Sequence, residues 1–86
     1  MGKIRRLVLD VLKPHDPSII RLAEELSDLP GVEAVNISIY EMDQRVENAK
    51  ITLEGDDVNY DEVLKVIVES GATVHSIDEV VAGRMI

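Results

Sequence analysis

Seven residues in a row, Asp56-Asp57-Val58-Asn59-Tyr60-Asp61-Glu62, form the densest group of oxygen ligands in the sequence. The spacing Asp57-x-Asn59-x-Asp61 resembles the opening of a calcium-binding loop, in which alternate side chains turn carboxylate or amide oxygens onto a hard cation. The pattern then breaks. The sixth position is Glu62 where the loop needs glycine, and the twelfth is Val68 where it needs a bidentate glutamate. An EF-hand is excluded. A weaker Ca²⁺ or Mg²⁺ site through Asp56, Asp57 and Asp61 stands beside a simpler reading, an acidic helix start favoured by the helix dipole. Glu41, Asp43 and Glu47 form a second acidic group. In one chain they read as solvated turn charges; around a symmetry axis they would converge and hold a divalent cation.

The remaining chemistry-bearing residues are few. His15 and Asp16 stand where a strand passes into a helix, as a ligand contact or as an N-cap beside a surface histidine. His75-Ser76-Ile77-Asp78-Glu79 contains the residue types of a hydrolytic triad. Adjacent strand residues point to opposite faces, however, so this run cannot assemble nucleophile, base and orienting acid locally. His75 is read as a structural or interface residue. There is no glycine-rich phosphate loop, nucleophile elbow or HExxH. With no cysteine, thiolate catalysis, disulfides and cysteine-ligated metal are excluded. No catalytic residue is assigned.

Charge excludes further classes. Lys and Arg number 9 against 17 Asp and Glu, a net charge of −8. Neither half of the chain is basic. Nucleic acid and anionic membranes call for positive surfaces, and single-stranded RNA also calls for aromatics to stack on. The two tyrosines are the only aromatic residues. The apolar run Leu7–Leu12 near the N-terminus is interrupted by Asp10 and is too short for a signal segment or a membrane span.

The elements that position these residues follow from periodicity. The 86 residues suit one domain, 1–86, with a core of Val, Leu, Ile and Ala. Lys3–Lys13 alternates as a first strand ended by Pro14. Asp16 as N-cap and Pro17 at the first turn predict a helix to about Asp28, with Ile19, Leu22, Ala23 and Leu26 on its inner face. Pro30-Gly31 stops it. Val32–Glu41 and Val46–Gly55 read as strands joined by a hairpin at Met42–Arg45. Asn59 caps a second helix that buries Tyr60, Val63, Leu64 and Ile67 and ends at Gly71. Ala72–Ala82 is the fourth strand and Gly83–Ile86 a tail. The order is β-α-β-β-α-β. Right-handed crossovers turn it into an α+β sandwich of the ferredoxin-like kind: a four-stranded antiparallel sheet in order 4-1-3-2, with both helices on one face.

Side-chain chemistry also predicts register. Setting Leu9 against Ile51 brings Leu7 to Leu53 and Val11 to Ala49 on the inner face. On the outer face it brings Arg6 to Glu54 and Asp10 to Lys50. The hairpin cannot be a plain two-residue turn at Asp43-Gln44, because Ile37 would then face Lys50. A longer loop or a bulge must restore parity.

Three stretches, Ile4–His15, Leu29–Ile37 and Gly71–Gly83, together resemble the archaeal family catalogued as domain of unknown function 211, nearly end to end. The resemblance implies a ferredoxin-like fold and a small stand-alone cytoplasmic protein that self-assembles. It carries over no activity and no catalytic residues. The reading is therefore a non-enzymatic, self-associating protein, a regulatory or small-molecule-binding module, with Val8, Leu12, Tyr40 and Val66 as contact candidates. The alternative is a divalent-cation-binding protein that uses Glu41, Asp43, Glu47, Asp56, Asp57 and Asp61 in the oligomer.

Overall fold

Alternation of branched aliphatics builds β1 (Ile4–Pro14), β2 (Ala34–Met42), β3 (Val46–Glu54) and β4 (Thr73–Ala82), and three- to four-residue spacing builds α1 (Ile19–Ser27) and α2 (Tyr60–Glu69). The structure, a computed structural model, describes residues 2–84. The strands form one antiparallel sheet in the order β2-β3-β1-β4, which is the expected order read from the other edge.

The central pair has the expected register. Leu7, Leu9 and Val11 of β1 face Leu53, Ile51 and Ala49 of β3, and all six are buried. Leu22 and Leu26 of α1 and Val63 and Ile67 of α2 complete the same cluster, so both helices cover one face of the sheet. Full burial of such a side chain stabilises the fold by roughly 1.5–3 kcal/mol. Tyr60 and Leu64, expected in the buried stripe of α2, are only half-buried.

Three local expectations are corrected. Helix α1 is capped by Ser18, whose Oγ accepts the Arg21 N–H at 3.3 Å, and not by Asp16. Serine caps as well as aspartate does, and Ser18 stands directly before the apolar face that begins at Ile19. Asp16 stays exposed in the preceding loop. Strand β2 starts at Ala34 because Val32 closes the turn after α1, donating to the Leu29 carbonyl at 3.2 Å. The presumed tail also starts late: the Gly83 N–H still bonds the Lys3 carbonyl at 2.8 Å. Met85 and Ile86 lie outside the described residues.

The hairpin solves its parity problem with a bulge. Asp43 N–H bonds the Val46 carbonyl at 3.0 Å across a two-residue link, Gln44-Arg45. Tyr40 is the extra residue, inserted between Ile39 and Glu41. Ile37 therefore faces Ile51 while Met42 faces Glu47.

The open sheet face carries charge. Arg6 bridges Glu54 at 2.9 Å and Glu79 at 3.1 Å. Lys50 lies opposite Asp10 in register but pairs with Asp78 of β4. Asp10 is taken instead by the Tyr40 hydroxyl, which lies 2.7 and 2.9 Å from its two oxygens. The bulge thus sends Tyr40 over β3 to β1.

Two glycines press three segments together. Gly31 has φ +83°, and a Cβ on Gly55 would sit 2.0 Å from the Gly31 carbonyl oxygen. Backbone, not a pliable side chain, would have to give. Gly55→Ala is expected to lose about 1–3 kcal/mol by overpacking. Urea unfolding checks this through a lower midpoint at unchanged slope.

Candidate functional site

The inward row of β1 does not end on an apolar residue. Lys13 follows Leu7, Leu9 and Val11 on that face and is fully buried. Directly opposite on β3 stands Glu47, 7% exposed. The lysine Nζ donates to Glu47 Oε1 at 3.0 Å, to the Pro14 carbonyl at 2.7 Å and to the His15 carbonyl at 3.4 Å. Its three protons meet three acceptors. That is what a buried ammonium needs, since desolvation is offset only when the partner charge and every hydrogen bond are in place.

Glu47 is shared. Its second oxygen, Oε2, lies 2.9 Å from His15 Nδ1, and His15 Nε2 lies 3.1 Å from the Asp43 carbonyl. A carboxylate and a carbonyl can only accept, so the geometry is satisfied in full by an imidazolium with both nitrogens protonated. The hydrogen bond to Glu47 accordingly raises the His15 pKa above its ordinary value, against desolvation. The bond from His15, helped by Lys13, lowers that of Glu47. Asp43 closes the turn: its Oδ1 accepts the Val46 and Arg45 amides, both at 2.8 Å, and these hold its pKa low. Strand β1, the loop after it and the β2–β3 hairpin are thus clasped by the side chains of Lys13, His15 and Glu47 and by the Asp43 carbonyl.

This arrangement decides where the expected cation ligands stand. Glu47 and Asp43 come together, but through His15 and not around a vacant centre. Glu41 points to the opposite sheet face from Glu47 and, among the described residues, its side chain meets only Asn48 Nδ2, at 3.5 Å. Asp56 is bound by Arg5 at 2.6 Å and Lys3 at 3.5 Å, and the Arg5 bond lowers its pKa. Asp57 and Asp61 are exposed. Among the described residues no three His, Asp or Glu side chains are gathered as metal ligands. The acidic helix start is capped by Asn59, whose Oδ1 accepts the Glu62 N–H at 3.1 Å. In the other mixed run, Ser76 donates to Asp78 at 2.7 Å.

Lys13 is the residue sequence reasoning missed, although a signal was present. Carrying the Leu9–Ile51 alignment two residues past Val11–Ala49 lands Lys13 on Glu47.

Two outcomes are expected. Lys13→Met removes one of the two charged partners of buried Glu47 and should cost about 3–5 kcal/mol, while the Lys13→Met, Glu47→Leu double variant recovers most of the loss; urea unfolding reads both. The clasp also sets a pH window. Glu47 contributes above its ordinary 4.5 and stops contributing as pH falls through its lowered value. His15 contributes below its ordinary 6.5 and stops contributing as pH rises through its raised value. Stability should therefore fall as pH rises from the ordinary 6.5 of His15 through its raised value in the natural chain, and fall less in His15→Gln.

The family model described as uncharacterized ArCR matches residues 5–86. An uncharacterized protein of Methanocaldococcus jannaschii is 50% identical over 86 residues, spanning 100% of this chain and 89% of that one. By both the matched length and this identity, the chain belongs to the archaeal ArCR family, domain of unknown function 211.

Proposed function

We propose that this chain is a non-enzymatic, self-associating cytoplasmic module on a ferredoxin-like scaffold. One observation carries the reading. Met42, Ile77 and Val80 occupy core-facing register positions, yet they are 56%, 49% and 51% exposed. They sit on the two edge strands, β2 and β4, where no neighbouring strand of the chain lies beside them. Leu12 and Tyr40 add apolar area on the open face. Of the earlier contact candidates, Val66 leaves this set, because it packs against the core.

Size and chemistry support the same reading. A core of this size leaves a small domain marginal, and association adds burial. Several described groups that carry chemistry are committed to holding the fold: Lys13, His15 and Glu47 to one another, and the hydroxyls of Ser18, Ser27, Ser70 and Ser76 to caps, helix carbonyls or Asp78. Among the described residues no helix is long and apolar enough to cross a membrane.

Sedimentation equilibrium tests the reading. A homo-oligomer is expected at micromolar concentration, dissociating on dilution. A monomer throughout the micromolar range overturns it.

A further inference from the structure

We propose that copies of this chain join head to tail, edge strand β2 of one pairing antiparallel with edge strand β4 of the next. This rests on the self-association reading and specifies its surface. The strand directions allow it. β2 runs antiparallel to β4 within the sheet, so a second copy in the same orientation brings its β4 antiparallel to β2 and keeps all helices on one face. Both edges present main-chain groups that no strand of the same chain bonds.

Charge selects this pairing over the two-fold alternative. The β2 stretch 34–40 has no charged residue in a chain of net charge −8. It is flanked by Glu33 and Glu41. A second β2, laid antiparallel across a two-fold axis, would set Glu33 near Glu41 at both ends. β4 instead offers His75 near one end and Arg84 just past the other. Neither Glu33 nor Arg84 has an ion-pair partner among the described residues.

The bulges also match. With Ile39 set against Ile77, the extra residue at Tyr40 in β2 and the irregularity between Val74 and Ser76 in β4 fall side by side. Met42 then meets Val74, and Glu41 comes beside His75. In the other direction the irregularity between Ile77 and Glu79 brings Ile37 to Val80 and Glu33 to Arg84. The apolar pairs within the strands join residues on the same sheet face, and the exposed Met42, Ile77 and Val80 are all covered. Leu64 and Val68 of α2 line an open groove with Val74 and Ile77, where the neighbour's Ile39 and Met42 would seat. Such a contact is heterologous and repeats, closing into a ring or growing as a filament.

Two blocked chains test the proposal. Ile77→Lys spoils β4 and spares β2; Met42→Lys does the reverse. Both sites are about half exposed, so the fold is expected to persist, which circular dichroism checks. Each variant alone should sediment as a monomer, and an equimolar mixture should give one-to-one dimers. Independently of those sites, Glu33→Arg and Arg84→Glu should each weaken association about tenfold, and the double reversal should restore it. An assembled natural chain whose blocked variants still assemble alone, or fail to pair when mixed, overturns the head-to-tail interface and leaves self-association standing. A double reversal no better than its singles also overturns it. A monomeric natural chain overturns both.

Discussion

Placing the Lys13 ammonium out of water is the most demanding thing this fold does, and much of the local geometry is set by how the charge is met. Nζ needs a carboxylate and two further acceptors within reach. Glu47 supplies the first only if β3 lies beside β1 in the register that pairs Leu9 with Ile51. The carbonyls of Pro14 and His15 supply the others only if the chain turns back over the lysine immediately after β1. That turn swings His15 onto Glu47 and the hairpin carbonyl of Asp43. A register slip by one residue would carry both Lys13 and the apolar row to the wrong face. The apolar row and the ion pair therefore enforce one alignment by different means: one by area, the other by the penalty for an unpaired charge.

That alignment was legible because β1 and β3 are central strands with one buried face. Their alternation is strict, and charges on the open face agree with it at Arg6 and Glu54. The strand order, the Asn59 cap and the need for a bulge in the hairpin follow from equally local chemistry. The failures share a cause. Asp16 and Ser18 are both good caps, and only the placement of Leu22 and Leu26 against the sheet chooses between them. Asp10 and Lys50 are neighbours in register, yet each finds a better partner on an outer strand. In the sequence Glu47 groups with the hairpin acids Glu41 and Asp43, because residue type alone does not show that it faces inward toward a lysine. Partners set by tertiary contact are invisible to spacing along the chain.

The same contrast explains the edges. On the central part of the open face the charges are answered within the chain: Arg6 by Glu54 and Glu79, Lys50 by Asp78, Asp10 by the Tyr40 hydroxyl. A surface so internally neutralised has little to offer a partner electrostatically, and its ion pairs add little to stability in water. At the two sheet edges the situation is reversed. Core-facing apolar residues there lack a cover, and the flanking Glu33 and Arg84 lack an answering charge among the described residues. Proteins that must stay monomeric blunt such edges with lysine, proline or inward charges. β2 has none of these between Ala34 and Tyr40. Its bulge, which would ordinarily twist an edge out of use, has a counterpart in β4 at the matching height. Irregularities that coincide when Ile39 meets Ile77 argue for strand pairing, because the two strands then bend together.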